Sequence, residues 1–198
     1  MTQPQKHRCR WPQGELMIAY HDHEWGRPLH DDQKLYEMLF LEGFQAGLSW
    51  YIVLSKREAF RAAFSGFDAN VIAAYGEADV ARLLQADGIV RNRLKILAAI
   101  SNAQVFLAIQ KEFGSFDRYL WGFVNNEPIV SREDVFPVVS PLSDAVSKDL
   151  KKRGMKFVGS VTIYSFLESV GVINDHEQAC FVMEELRQGM ENQGHRKG

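Results

Sequence analysis

Hydrophobic residues recur at three- and four-residue intervals along most of the chain, the spacing of one face of an α-helix. The pattern predicts several helices in the first two thirds of the sequence, with capping residues or glycines near their ends. These are a helix through KLYEMLFLEG capped by Asp31 or Asp32, residues 49–64, a short helix after Asp68, and residues 77–85, 91–110 and 116–124.

The last third begins with a proline-rich connection, VNNEPIVSREDVFPVVSPLS, and then returns to helical spacing. Ser143 is the predicted cap of DAVSKDLKKRG, which ends at Gly154, and VTIYSFLESVG is the next predicted helix. Asp175 is expected to cap a final helix. Strand signals are weak, so we predict an all-α fold. It forms one helical domain of two lobes over residues 1–188, followed by a frayed tail over 189–198.

The composition, with 46% hydrophobic and 24% charged residues, is ordinary for a globular domain. No apolar run reaches the length of a membrane span, and the first residues lack the apolar core of a signal peptide. We therefore expect a cytoplasmic protein with no membrane partner, and a monomer is the default expectation for its oligomeric state. The net charge of −2 does not suggest nucleic-acid binding. One basic cluster is nevertheless present, and it is either a solvated helix face or a contact for DNA: Lys148, Lys151, Lys152, Arg153 and Lys156.

The two cysteines, Cys9 and Cys180, lie at opposite ends of the chain. They are either unrelated buried thiols or ligands of one metal ion. His176 and Cys180 are four positions apart, which on a helix would place both on one face. With Cys9 and either His21 or His23 they would complete the four thiolate and imidazole ligands of a closed structural zinc site.

The stretch YHDHEWG also contains His23 and Glu24, within a His-x-Glu pattern of the kind found in zinc deaminases. Those enzymes also need a Pro-Cys-x-x-Cys element, which this sequence lacks. A zinc-dependent hydrolase or deaminase using His23 and Glu24 is therefore a weaker alternative.

Glu42 is a lone carboxylate in the apolar stretch LFLEGF, so it is either an exposed residue at a helix end or a functional group. Trp50 follows eight positions later, and Trp11, Tyr20 and Trp25 lie near the predicted metal ligands. Each aromatic residue taken alone is more typical of a core.

Several of these segments together resemble the 3-methyladenine DNA glycosylase I family: RCRW, IAYHDHEWGRP, LFLEGFQAGLSWYIVLSKREAFRAAF and LKKRGMKFVGSVTIYSFLESVGVINDHEQAC. The resemblance runs from Cys9 to Cys180. It implies the helix-hairpin-helix glycosylase fold and hydrolysis of the bond between 3-methyladenine and deoxyribose in DNA. 3-Methylguanine would be a poor second substrate. It also implies one structural Zn²⁺ per chain, held by Cys9, His21, His176 and Cys180 and joining the two ends of the domain.

The resemblance assigns Glu42, Tyr20 and Trp50 to the base pocket, with Trp11 and Trp25 lining or supporting it. Double-stranded DNA would be contacted by the AGLSW turn, with Gly47 and with Leu48 as a wedge, and by a hairpin whose Gly159 and Ser160 amides face a phosphate. The hairpin's basic residues, Lys151, Lys152, Arg153 and Lys156, would add salt-dependent attraction. The DGIVRNRLK stretch, residues 87–95, has no assigned role.

One departure from the wider superfamily limits the predicted chemistry. Many relatives carry a catalytic aspartate two residues before a histidine, whereas here Asn174 precedes His176. No lysine nucleophile is evident near the hairpin's second helix. We therefore expect a monofunctional enzyme limited to bases whose glycosidic bond is already weak. The main alternative is a non-enzymatic DNA-binding module that has the same hairpin and zinc but no active pocket.

Overall fold

The computed structural model describes residues 6–131, 134 and 136–194, with side chains described as far as residue 189. Within these residues the regular secondary structure is almost entirely helical, which confirms the predicted all-α class. The first seven helices, with a 3₁₀ turn at Ser65–Phe67 before α5, are α1 (Gly14–His23), α2 (Asp32–Gln45), α3 (Trp50–Ser55), α4 (Arg57–Ala63), α5 (Ala69–Ala73), α6 (Glu77–Gln85) and α7 (Arg93–Phe113). The remaining four are α8 (Phe116–Gly122), α9 (Pro141–Lys152), α10 (Ser160–Ser169) and α11 (Phe181–Gly194).

The apolar helix α2 lies at the centre of the fold and contacts α3, α7, α8 and α10. Its start follows from local chemistry, because the Asp31 carboxylate accepts a hydrogen bond from the Lys34 amide. Most of its length is buried, including the Phe40 and Phe44 rings. These rings stack and meet Phe60 and Phe64 of the following segment. This packing fixes the helix that carries Glu42.

Two short strands, which the sequence did not predict, close the proline-rich connection onto the chain after α10. Strand β1 (Ile129–Val130) pairs in parallel with β2 (Ile173–Asn174), with Ile129 opposite Ile173. Because β2 leads directly into His176, this small sheet helps to place the C-terminal part of the predicted metal site.

Several predicted boundaries were wrong for local reasons. The segment 49–64 is two helices, because Lys56 leaves helical geometry between them. Ser140, rather than Ser143, caps α9: Pro141 sets the first turn, and Ser140 accepts from the Ser143 amide. Asp175 does not cap the last helix, which begins at Phe181 and continues past Gln188 into the predicted tail. The final part of that tail, 195–198, lies outside the described residues.

Helix α1 was not predicted, although it carries Tyr20 and His21. Gln13 at its N-cap makes no side-chain capping hydrogen bond, and its polar and apolar residues are not sharply segregated. None of the helices in the described ranges is long and apolar enough to cross a membrane.

Candidate active site and metal centre

A cavity of about 260 Å³ opens where α1, α2 and α10 meet. It brings together all five residues predicted for the base pocket, Trp11, Tyr20, Trp25, Glu42 and Trp50. The cavity is also lined by four residues that the sequence did not single out, Met17, Gln45, Ser165 and Glu168. The volume is of the size that holds a small flat ligand such as a nucleobase.

Glu42 lies in the wall of this cavity and is buried, with 3% of its surface exposed. Its Oε2 has no hydrogen-bond partner among the described residues. Burial, with a smaller effect from the Glu168 charge, raises the pKa of Glu42 well above its usual range. An unpartnered carboxylate oxygen in a cavity is available to a ligand that donates hydrogen bonds or carries positive charge.

Aromatic rings surround the carboxylate. The Tyr20 and Trp50 rings lie 5.4 Å apart between centroids at 49°. Trp11 meets Tyr20 edge-on at 6.4 Å and Trp25 edge-on at 5.1 Å. The indole nitrogen of Trp50 is buried and, like Glu42 Oε2, has no partner in the described part of the chain. The cavity thus combines aromatic faces, which bind flat cations, with one free donor and one free acceptor.

Glu168 is a functional candidate that the sequence patterns did not bring forward. It lies in α10 with Ser165, and burial, aided by the Asp175 charge, raises the pKa of its carboxyl to about 8. The sequence signal that pointed to Glu42 was also present for Glu168, because Glu168 is a lone acid in the apolar helical run VTIYSFLESVG. Glu168 gives the cavity a second carboxyl group.

Next to this cavity lie three of the four predicted metal ligands. The ligand atoms of Cys9, His21 and Cys180 are all within 4.8 Å of one another, and all three residues are buried. Cys180 Sγ is 3.5 Å from His21 Nε2. Hydrogen bonds from Cys9 and His21 lower the pKa of Cys180, which favours the thiolate that binds metal.

The fourth predicted ligand, His176, lies beside this group, with its ring centroid 5.1 Å from that of His21. It is buried, and its Nε2 has no partner among the described residues. Gly26 makes room for the ring, because a Cβ there would lie 2.4 Å from His176 Cε1. An unpartnered imidazole nitrogen beside two thiols and a second imidazole suits a zinc ligand set.

Both imidazoles are oriented through Nδ1, which leaves each Nε2 available to a metal ion. His21 Nδ1 lies 2.8 Å from the Asp22 carboxylate, which Arg8 also contacts, and His176 Nδ1 lies 2.8 Å from Asn174 Oδ1. Such outer contacts fix the ring orientation of metal-binding histidines. The residues present therefore fit a zinc ion.

Two expectations about this region need correction. His176 and Cys180 do not share a helix face; they lie in the irregular segment before α11, which Asn174 and β2 hold in place. Of the two residues in the deaminase alternative, His23 is exposed and Glu24 forms an ion pair with Arg57 at 2.6 Å. Neither belongs to the cluster of Cys9, His21 and Cys180, which we call the metal group.

The predicted DNA-contacting residues lie in two turns or at the helix ends beside them. The wedge turn, residues 46–49, links α2 to α3, with Gly47 at φ +80° and Leu48 half-buried. The hairpin turn, residues 153–159, links α9 to α10, which pack against each other, and Gly159 is the N-cap of α10. The Ser160 hydroxyl lies 2.8 Å from that of Ser143, so it is anchored to α9.

The basic residues near the hairpin turn differ in their availability. Lys151, Lys152 and Lys156 are exposed. Arg153, by contrast, is held by Asp149 at 2.6 Å and Glu112 at 2.6 Å and lies over the rings of Phe113 and Tyr119. The Arg153 guanidinium already makes contacts within the protein, so it is less available to a ligand than the ammonium groups of the three lysines.

Comparisons with known proteins find relatives in sequence and in fold. A family model described as Methyladenine glycosylase matches residues 11–183. DNA-3-methyladenine glycosylase 1 of Escherichia coli (strain K12) is 49% identical, over 87% of this chain and 95% of the relative. A crystal structure of 3-methyladenine DNA glycosylase I is 50% identical, covers 88% of this chain and 98% of its own, and superposes with a TM-score of 0.85. The Staphylococcus aureus 3-methyladenine DNA glycosylase I structure that describes 3-methyladenine recognition is 37% identical, covering 88% of this chain and 95% of its own, with a TM-score of 0.85.

Proposed function

Because the chain belongs to the methyladenine glycosylase family, we propose that it hydrolyses the N-glycosidic bond of 3-methyladenine in alkylated DNA, the first step of base excision repair. 3-Methylguanine would be released weakly. The observation that carries this proposal is the buried Glu42 carboxyl, with an unpartnered oxygen, inside an aromatic cavity.

In the proposed reaction the enzyme contributes more by recognising the methylated base than by donating a proton to it. Methylation at N3 gives the adenine a delocalised positive charge, so the base is already a good leaving group. When the C1′–N9 bond breaks, its electron pair passes to the base and cancels that charge. Water then adds to C1′ and releases a proton to solvent. The protein must extract the nucleotide from the stack and hold the cationic base while this happens.

The cavity residues are suited to that task. Trp50 and Tyr20 would stack on or border the base, with Trp11 and Trp25 supporting them, and Glu42 would accept hydrogen bonds from the adenine edge. A bound cation would lower the raised pKa of Glu42 and stabilise its ionised form. A neutral adenine offers no such gain, so the pocket favours the charged lesion.

The site supports this proposal over the two alternatives. A non-enzymatic DNA-binding module has no use for a buried carboxylate in an aromatic cavity. A deaminase-like use of His23 and Glu24 would need both near the metal group, whereas Glu24 is paired with Arg57.

The test is to incubate the purified protein with methylated duplex DNA, without added metal, and to identify the released bases by chromatography. We expect free 3-methyladenine as the main product and uncut abasic strands, because no lyase step is proposed. Release of no methylated base would refute the function.

We also propose that Cys9, His21, His176 and Cys180 hold one structural Zn²⁺. Support comes from the donor set and from the unpartnered Nε2 of His176 within the described part of the chain. With four protein ligands the ion would have no open position for water. It would hold the segment with Trp11, Tyr20 and Trp25 beside the cavity while taking no part in the chemistry.

For DNA binding we propose a helix-hairpin-helix contact. The hairpin turn would present the amides of Gly159 and Ser160, at the start of α10, to a backbone phosphate. Gly47 and Leu48 of the wedge turn would enter the duplex where the nucleotide leaves it.

Replacement of Leu48 by Ala is expected to reduce single-turnover excision from duplex DNA by about tenfold, since an apolar wedge offsets part of the unstacking cost. Excision from single-stranded DNA, which needs less unstacking, should change less. Val71→Ala, which trims an exposed apolar residue of α5, is the matched control. Equal losses on both DNA forms would contradict a wedge role.

Lys151→Gln and Lys152→Gln should each weaken non-specific duplex binding and lower the salt dependence of its affinity. The slope of log K against log salt is expected to become shallower by about 0.9 for each phosphate that the protein no longer neutralises. Lys34→Gln, which removes an exposed charge from the start of α2, should leave the slope unchanged. Fluorescence anisotropy over a salt series makes the measurement, and an unaltered slope in both hairpin variants would exclude these lysines from the interface.

A further inference from the structure

Lys95, at the end of the stretch that the sequence could not assign, is a buried lysine with only 7% of its surface exposed. Its ammonium donates hydrogen bonds to the carbonyl oxygens of Phe44 and Ala46, both at 2.7 Å. These carbonyls lie at the C-terminal end of α2, where the helix leaves acceptors without an intrahelical partner. Lys95 thus joins α7 to the start of the wedge turn.

Asn102 makes a comparable contact on the hairpin side. Its amide nitrogen donates to the Lys156 carbonyl at 2.9 Å, and its Oδ1 accepts from the Lys156 amide at 2.8 Å. Both backbone groups of one hairpin-turn residue are therefore satisfied by a single side chain. This two-point contact fixes the position and the orientation of the turn relative to α7.

The two contacts lie on one face of one helix, because Lys95 and Asn102 are seven positions apart in α7. The α2 helix and the hairpin turn also lie close together. A Cβ built on Gly43 would lie 3.9 Å from Phe157 Cβ, and Phe157 is held at φ +57°, which a bulky side chain rarely adopts. Phe157 shares an apolar cavity wall with Lys95 and Asn102.

We propose that Lys95 and Asn102 are positioning residues that make α7 a rigid spacer between the wedge turn and the hairpin turn. The inference rests on the proposed function, in which both turns contact the same duplex. Neither side chain needs to touch DNA or the base. Their effect is to set the distance between the turn that enters the duplex and the turn that holds its backbone.

The choice of residues fits this role. A lysine has three donors and no acceptor, so it can bind two carbonyls at once, and its charge is favourable at the negative end of the α2 dipole. Asparagine supplies a donor for the Lys156 carbonyl and an acceptor for the Lys156 amide. Burial lowers the pKa of Lys95, and its hydrogen bonds to the two carbonyl oxygens offset the cost of burying its charge.

The test compares Lys95→Met and Asn102→Ala in two assays, single-turnover excision from lesion duplex and binding of free 3-methyladenine measured by Trp fluorescence. Each variant is expected to excise at least about tenfold more slowly, since small misplacements of binding groups have effects of this size. Binding of the free base should stay close to that of the unmodified protein. Lys95→Arg, which keeps donors near both carbonyls, should recover part of the excision rate.

Two matched controls are available on the same helix. Lys111→Met removes an exposed lysine of α7, and Gln104→Ala removes an amide that donates to the Ala73 carbonyl, away from both turns. Both controls should behave like the unmodified protein.

Normal excision by both test variants would overturn the proposal. A parallel loss of free-base binding and excision would also overturn it, because that result describes general damage to the fold. Failure of the proposed function gives a different result, since the unmodified protein would then release no 3-methyladenine.

Discussion

Replacement of Glu42 by Gln is expected to lower single-turnover excision of 3-methyladenine by about a hundredfold, which corresponds to roughly 2.7 kcal/mol of lost transition-state stabilisation. Gln has the same shape but cannot pair with a cation, and it places an amide donor where an acceptor is needed. A hydrogen bond to a charged group contributes about 1.5–3 kcal/mol, so the loss of this bond and of its charge accounts for the estimate.

The same substitution should leave the protein at least as stable at neutral pH. Burial raises the folded-state pKa of Glu42, whereas the unfolded carboxyl keeps its ordinary value near 4.5. Above that ordinary value the unfolded state ionises first, so Glu42 costs increasing stability as pH rises towards the folded pKa. Gln removes this cost. Thermal melts should therefore show a Glu42→Gln advantage at about pH 7.5 that disappears near about pH 4.

Glu15→Gln, an exposed acid in the first turn of α1, is the control for both measurements. Its excision rate, and its melting temperature at about pH 7.5, should stay close to those of the unmodified protein. If Glu42→Gln excises at the normal rate, Glu42 is not the base-binding group. If it loses activity and also melts well below the unmodified protein, the activity loss reports on folding.

Removal of the metal is expected to produce the second large effect, on stability rather than on chemistry. We expect about one zinc ion per purified chain, and we expect strong chelation to lower the melting temperature by about 10 °C or more, since a structural zinc contributes folding free energy directly. Cys180→Ser and His176→Ala should bind less zinc and melt at similarly reduced temperatures. Readdition of Zn²⁺ should restore the chelated protein.

Excision by metal-depleted protein, measured at a low temperature, distinguishes a structural zinc ion from a catalytic one. Metal-depleted protein that remains folded should still excise 3-methyladenine, because no bound water is required. His23→Ala, which removes an exposed histidine of the same segment, should keep its zinc and its activity. Loss of turnover without loss of stability on chelation would contradict the structural role and would favour the His23–Glu24 alternative.

The elements that could be predicted from sequence are those fixed by local chemistry. The starts of α2 and α5 follow from Asp31 and Asp68, whose carboxylates accept hydrogen bonds from amides of the next turn. Helix α1 has no such cap, and the segment around His176 has its shape from Asn174 and β2 rather than from helical spacing. These features depend on tertiary contacts.

The same distinction applies to the site. Glu42 could be noticed because one acid in an apolar run is unusual, and Glu168 carries the same signal in α10. Lys95 could not be noticed, since RNRLK looks like an exposed basic turn until α7 packs against the end of α2. The position of the cavity beside the metal group could not be predicted either, because it depends on the fold. Tyr20 and His21 are neighbours on α1, but Tyr20 lines the cavity whereas His21 belongs to the metal group.

The central claim is that a buried carboxylate among aromatic rings selects a nucleobase by its positive charge. The most direct measurement compares the affinity of the protein for two duplexes that differ at one nucleotide. One carries cationic 3-methyladenine on a fluorinated sugar that resists cleavage, and the other carries its neutral 3-deaza isostere on the same sugar. We predict at least about tenfold tighter binding of the cationic duplex, or about 1.4 kcal/mol, and little difference in Glu42→Gln. Equal affinity of the unmodified protein for both duplexes would contradict the claim.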